Sequence, residues 1–483
     1  MFKYIRYYLY LLISFFRIPY SQAYINIQAH EVKNILINKI SEKKINMFLI
    51  KKLYQKHYDF LIYCKKIKVD MPEVYFWTAL AALTIGNYED WKTLRLKLLE
   101  KQKTISDKKK LNFQIIEPGH IVFTIGNTLT LDAWIKSQIL GFSKKIRTIL
   151  PLPPQYKNKI INRSMLEYYK PFIDIIEDPK EARYYYSNLQ NAQAWHNIRI
   201  PCGKKHRPYF SHSSAVYVQS VWDSQKRKPL FSLRDSHRFN GRQILKKMGI
   251  PEDSWFVTCH VREPHFKHRE DFRDSDIATY FDAFKEITDR GGWVVRMGDK
   301  SMSPLPKMNR VIDYAISEFK SDWMDVYLCA SCKFMLGTSS GLSTITYIFG
   351  KPIAMTNNLP TAATYLSKRD LFMPRLMQRL DNGKMISLVD SMTIPYSLGF
   401  SDSIYKNIFK VKTIPNNNIE IKNITIEMLE RLDGSIKYSS ADENLQSEFK
   451  KKTAEKEVMI GFPGFPIQCR LGNYFLQNYY NHI

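Results

Sequence analysis

The sequence lacks long apolar runs, has few cysteines and is short of acid. No segment reaches the roughly 18 to 20 consecutive apolar residues that a membrane-spanning helix requires. The best candidate, YYLYLLISFF from Tyr7 to Phe16, is bounded by Arg6 and Arg17. It has the length of a signal-peptide core, but Arg17 stands where an uncharged cleavage region should begin. A helix lying on a membrane surface or packed against the core is therefore expected instead. The six cysteines, Cys64, Cys202, Cys259, Cys329, Cys332 and Cys469, are scattered over 483 residues, which excludes a disulfide scaffold and suits reduced thiols in the cytoplasm. Cys329 and Cys332 form a CxxC inside DVYLCASCKFMLG with no second pair at zinc spacing, so both are expected in the core. GxxxxGKS/T, a strand-borne GxGxxG, GxSxG and HExxH are also missing. Phosphotransfer by a P-loop, dinucleotide oxidation, serine hydrolysis and zinc-dependent proteolysis thus lose their usual signatures.

The 46 acidic residues against 72 Lys and Arg give a formal charge of +26. Such a balance suits nucleic acid, an anionic membrane or phosphorylated substrates, and a chain-wide richness in Lys, Ile, Asn and Tyr would also produce it. No recognised nucleic-acid motif is present, so no nucleic acid is expected as a partner. What the chain does have is a core: 45% hydrophobic and 14% aromatic residues imply that most of it folds, as two or three domains.

From Ala29 to about Lys103 apolar residues recur at helical spacing. In MPEVYFWTALAALTIGNYEDWKTLRLKLLEKQ a Gly-Asn pair separates two helices, which suggests one hairpin of the tetratricopeptide kind. After a charged stretch, FQIIEPGHIVFTIGNTLTLDAWIKSQILGFSKKIRTILPLPP reads as strand, turn, helix and strand, opening an α/β domain near residue 112. Residues 179–229 are aromatic and are expected to form helices and long loops.

A second α/β pattern is plainer. SWFVTCHVRE is a buried-type strand, and DSDIATYFDAFKEITDRGG is an amphipathic helix with Asp274 or Ser275 as its N-cap and Gly291-Gly292 as its stop. WVVRMGD and VIDYA are strands, SDWMDVYLCAS is a helix, KFMLGT a strand, a helix begins near Leu342, and KPIAMTNN closes the series. The alternation predicts a parallel doubly wound sheet, which binds ligands outside the carboxyl ends of its strands. That rule selects His260, Arg262 and Glu263; Arg296 to Asp299; Thr338, Ser339, Ser340, Gly341, Leu342 and Ser343; and Thr356 to Asn358, including Asn357. An Arg fork beside a hydroxyl-rich helix start makes a diphosphate clamp. Asp274-Ser275-Asp276 has the spacing of a metal-holding DxD, but it opens a helix and reads as capping. His260, His265 and His268 sit among cations, which favours a basic loop over an anion and no metal site.

HVRE (His260 to Glu263), GGWVVRMGD, the Ser321-Asp322-Trp323-Met324-Asp325 helix start, LGTSSGL, FGKPIAMTN and RLGNYFLQN resemble a family of bacterial glycosyltransferases found with surface-polysaccharide genes. More distantly, the His-x-Arg after a strand and the Gly-Thr-Ser-Ser series are similar to the GT-B fucosyltransferase superfamily, although its His-x-Arg-x-x-Asp is not kept after Glu263. The resemblance implies a GT-B-like α/β fold with two facing Rossmann-like domains and an N-terminal helical region. Its boundaries would be 1–105 for the helical region, 112–245 for the acceptor domain, 246–400 for the nucleotide-sugar domain, and 401–483 for a helical segment packing back. It further implies that Arg262 binds the donor diphosphate, His260 orders that loop, Ser339, Ser340 and Gly341 cradle phosphate, and Asp299 stands near the nucleotide. Glu263, Asp132 and His120 are candidate bases. The nucleotide-sugar is a substrate, no cofactor is implied, and the acceptor would be a glycan or lipid-linked saccharide at the cytoplasmic membrane surface. A nucleotide-sugar epimerase on the same fold and a non-catalytic glycan-assembly subunit are the rival readings.

Overall fold

The computed structural model describes the chain from residue 85 onward, apart from 109–110, 144, 158, 193–197, 203–204, 209–210, 264–271, 360–366, 399–403, 459–463 and 483, with isolated positions between 52 and 83. The segment YYLYLLISFF, the helices expected before residue 52, and His265 and His268 lie outside the described residues, as do the side chains of Cys64 and Cys202. Among the described residues no helix is long and apolar enough to cross a membrane.

The chain divides into two compact units, residues 1–101 and 102–483. In the first, Gly86 at φ +83° ends one helical segment. Asn87 then opens α1 (Tyr88–Lys108), where its side-chain oxygen accepts from the Asp90 N–H at 3.2 Å. Trp91, Leu94, Leu98 and Leu99 give α1 a buried face at three-to-four spacing.

The second unit is α/β. Strands β1 (Phe113–Ile115), β2 (Arg147–Pro151) and β3 (Asp174–Ile176) form a parallel sheet in sequence order. It is served by helices α2 (Pro118–Phe123), α3 (Thr128–Ile139), α4 (Arg163–Tyr169) and α5 (Pro179–Ser187). Where long loops were expected, a hairpin of β4 (Arg199–Cys202) and β5 (Lys205–Pro208) precedes α6 (Ser211–Ser224). Alternating polar residues and prolines hid it. Helix α7 (Asp235–Lys247) leads into the second sheet.

That sheet comprises β6 (Phe256–His260), β7 (Trp293–Arg296), β8 (Val311–Ile312), β9 (Met335–Gly337), β10 (Ile353–Asn358), β11 (Leu371–Pro374) and an edge strand near the C-terminus, Arg470–Leu471. All neighbours pair in parallel, as crossover helices α8 (Phe281–Asp289), α9 (Asp322–Ser331) and α10 (Gly341–Ile348) require. From edge to edge the order is 470–471, β11, β10, β9, β6, β7, β8. The chain starts in the middle at β6, goes out to β8, then returns to β9 on the other side. This is the doubly wound order, with its switch point between β6 and β9.

The region after 400 was expected to be helical. It holds α11 (Asn418–Asp433), α12 (Ser440–Glu455) and α13 (Asn473–Tyr479), but it also contributes the edge strand. A small antiparallel sheet of β12 (Leu376–Arg379), β13 (Met385–Ile386) and β14 (Val411–Ile414) stands beside it. Gln446 on α12 holds the edge strand, its amide nitrogen donating to the Leu471 carbonyl at 2.6 Å. Cys259, Cys329, Cys332 and Cys469 are buried, free thiols, with Cys332 Sγ donating to the Cys329 carbonyl at 3.3 Å.

Candidate active site

The crevice between β6 and β9 is held together by backbone. The Thr338 N–H donates to the His260 carbonyl at 2.9 Å, and the Arg262 N–H donates to Thr338 Oγ1 at 3.0 Å. Gly337 sits at φ +140°, and a Cβ there would stand 2.0 Å from the His260 oxygen. Only glycine lets the two strand ends approach this closely.

Beyond Gly337 the chain turns into α10. Ser340 is the N-cap, its hydroxyl accepting from the Ser343 N–H at 3.2 Å while Ser343 Oγ accepts from the Ser340 N–H at 3.0 Å. This reciprocal box uses the N–H groups of residues 340 and 343. Those of Gly341 and Leu342, at the first two helical positions, have no acceptor within the helix and stand at the positive end of its dipole. Facing them is the turn Ile125–Asn127 between α2 and α3. A Cβ on Gly341 would lie 3.1 Å from Ile125 Cβ and 3.4 Å from the Gly126 nitrogen. Two glycine-containing, hydroxyl-flanked turns, one from each sheet's lobe, therefore meet at the switch point.

Arg262 borders this place. Its side chain is 20% exposed, and its Nε lies 3.4 Å from Asp274 Oδ1. Arg375 supports that loop from behind, donating to the Asp274 carbonyl and, at 2.9 Å, to Ser275 Oγ. His260 is partly buried with an enclosed Nδ1, and its pKa is held down at about 4, first by burial and then by the cations Arg262 and Arg296. It is therefore neutral at physiological pH. Asp299 lies three residues beyond β7, where Oδ1 accepts from the Ser301 N–H at 2.8 Å and braces the following turn. Its charge is felt at His260.

Several residues singled out in the sequence have other partners. Arg296 is fully buried. It pairs with Glu263 and, at 2.8 Å, with Asp313, and donates to the Ser303 carbonyl at 3.1 Å. Glu263 uses its second oxygen on the Ser303 N–H at 3.1 Å. Both carboxylate oxygens have partners, and the pair braces the loop after β6 against the turn at Ser303. Asn357 is likewise buried, at φ +50°. Its N–H donates to Asn416 Oδ1 at 2.6 Å and its own Oδ1 accepts from the Asn416 N–H at 2.7 Å. The cap of the helical turn after residue 276 is Asp276, accepting from the Ala278 N–H at 2.9 Å, where Asp274 or Ser275 was expected. His120 lies on α2, the helix that ends at the facing turn.

Asp132, a candidate base in the sequence, lies in α3 and is 2% exposed. Nearly all of α3 is buried, because it packs between its own sheet, α6 and α10. Asp132 accepts from Lys136 at 2.6 Å, and Lys136 also donates to Gln219 of α6 at 2.7 Å. Gln219 in turn donates to Asp223 at 2.7 Å. Asp223 lies 4.0 Å from Arg369, which donates to the Tyr347 carbonyl of α10 at 3.0 Å. Burial raises the Asp132 pKa against the pull of Lys136. This chain of polar groups, running from α3 to the turn before β11, has no sequence signal beyond the i, i+4 spacing of Asp132 and Lys136. The turn at Gly126 was legible as a turn but not as part of the site. Among the described residues no three His, Cys, Asp or Glu side chains are grouped to hold a metal.

No protein-family model matches the sequence, and no curated protein matches it. Among solved structures, the chain is similar to the ADP-heptose lipopolysaccharide heptosyltransferase II of E. coli, with 12% identity and a TM-score of 0.39 over 67% of this chain and 100% of that one. It is also similar to a glycosyl transferase of family 9 from Veillonella parvula, with 8% identity and a TM-score of 0.24 over 51% and 68%. A third is the glycosyltransferase SnogD from Streptomyces nogalater, with 12% identity and a TM-score of 0.20 over 57% and 65%.

Proposed function

We propose that the chain is a glycosyltransferase that moves a sugar from a nucleotide-diphosphate donor to a glycan or lipid-linked acceptor. The observation that supports this best is the meeting of the α10 start with the Ile125–Asn127 turn at the switch point of a doubly wound sheet, beside Arg262. In such sheets the switch point is where nucleotides bind, and a helix start with two uncommitted N–H groups favours a diphosphate. Arg262 would add a charge-assisted fork, and neutral His260 beside it keeps that loop in place.

In the reaction, the acceptor hydroxyl oxygen attacks the anomeric carbon on the face opposite the leaving group. The bond from that carbon to the diphosphate oxygen breaks, and the acceptor proton passes to a base. The nucleoside diphosphate departs with its negative charge held by Arg262 and the Gly341 and Leu342 N–H groups. Inversion at the sugar follows from single displacement. Of the three candidate bases, Glu263 and Asp132 are engaged in ion pairs, which leaves His120, on the helix leading to the facing turn.

A test is to incubate the protein with ADP-, GDP-, UDP- and CMP-sugars, with and without a bacterial glycolipid fraction, and to follow nucleotide release and product by chromatography. One donor should be consumed in an acceptor-dependent manner, and His120→Ala should slow turnover by about a hundredfold or more. Isomerisation of a donor without acceptor would point to an epimerase. Inertness towards every donor would favour an assembly subunit.

A further inference from the structure

Helix α7 carries cations at every fourth position. Arg234 precedes it, Arg238, Arg242 and Lys246 follow at that interval, and Lys247 adds a fifth; all are exposed. Four-residue spacing advances only about 40° around a helix per step, so Arg238, Arg242 and Lys246 form one stripe along roughly 12 Å of its surface, with Lys247 about 100° further round. Phe239 lies next to the stripe and is 65% exposed, more than any other large apolar residue of the described chain.

The face adjoining the stripe is firmly seated. Leu245 and Met248 are in the core, and Gly241 is so close to Tyr327 that a Cβ would meet its ring at 2.3 Å. The helix thus lies flat on the molecule with its basic face outward. Arg238 has Asp235 at 4.0 Å and donates to the Leu233 carbonyl at 3.4 Å, while Arg234 donates to the Glu167 carbonyl and lies over the Tyr168 ring at 5.1 Å. Arg242, Lys246 and Lys247 have no ion-pair partner among the described residues.

We propose that the outer face of α7 docks on a membrane surface rich in anionic lipid. Phosphate headgroups complement the stripe, and Phe239 enters the boundary between headgroups and acyl chains, as apolar residues of interfacial helices do. A duplex nucleic acid would be drawn by the same charges, but a convex helix with one outward phenyl ring fits a fluid interface better than a regular groove. The inference is independent of the donor-site reading, because α7 takes no part in the switch-point crevice.

The experiment is co-sedimentation of the full chain with phosphatidylcholine vesicles, with and without phosphatidylglycerol. Wild type should bind only the anionic vesicles, and less as salt shortens the screening length from about 30 Å at 0.01 M to about 10 Å at 0.1 M. Each cation removed should weaken binding about fivefold, so R242A/K246A/K247A should bind on the order of a hundredfold more weakly. Phe239→Ser should weaken vesicle binding while leaving the thermal midpoint unchanged. Failure of wild type to bind anionic vesicles would overturn the proposal, and so would undiminished binding by the triple variant. Preference for duplex DNA or RNA over vesicles, insensitive to Phe239→Ser, would overturn it in favour of a polyanion partner.

Discussion

Gly337 and His260 show how much a single position controls at the crevice. Replacing Gly337 by Ala puts a methyl 2.0 Å from the His260 carbonyl at a φ of +140°. The strands must separate, and we expect a loss of about 2–4 kcal/mol in urea denaturation. His260 adds a pH dependence. Its folded pKa of about 4 lies below the ordinary 6.5, so between these values the unfolded chain binds more protons than the folded one. Stability should therefore be unaffected by this group above pH 6.5 and fall progressively as the pH is lowered towards 4. Melting curves from pH 7 to 5 should show this slope, and His260→Gln should flatten it. Several roles at this scale were hidden in the sequence. Arg296 and Glu263 stand at strand ends, as ligand contacts do, and only the fold shows that they turn to each other and to Asp313. Asn357 is matched with Asn416, and no local pattern announces a partner so far along the chain.

At the scale of elements, the second sheet was readable because buried parallel strands are continuous apolar runs. FVTCH, WVVR, MLG and IAMTNN lie within the segments expected to be strands. The hairpin at 199–208 and the strands at 411–414 and 470–471 are short and mixed in polarity, so periodicity had nothing to register. In helix α3 the i, i+4 spacing of Asp132 and Lys136 was legible, but not that α6 and α10 would cover the pair and bury it. The consequence is testable. Lys136→Met leaves Asp132 buried without its cation and should cost about 3–5 kcal/mol, whereas Lys136→Met with Asp132→Leu should recover much of that loss. Chemical denaturation of the single and double variants decides between this and a peripheral pair, for which both would be nearly neutral.

At the scale of the molecule, two lobes with parallel sheets meet where glycine permits it, at Gly341 against Ile125 and Gly126. The net charge of the whole chain, +26, should raise the local concentration of any anionic donor, and its effect should weaken with salt. The local geometry, not the global field, has to discriminate among anions. The most direct measurement is calorimetric titration of ADP, GDP and UDP into the wild-type protein and into Arg262→Ala. One diphosphate should bind the wild type, and loss of a charge-assisted contact should weaken it by roughly tenfold to a hundredfold in the variant. Absence of binding by folded wild-type protein, or equal affinity in Arg262→Ala, would contradict the assignment of the β6–β9 crevice as a diphosphate site.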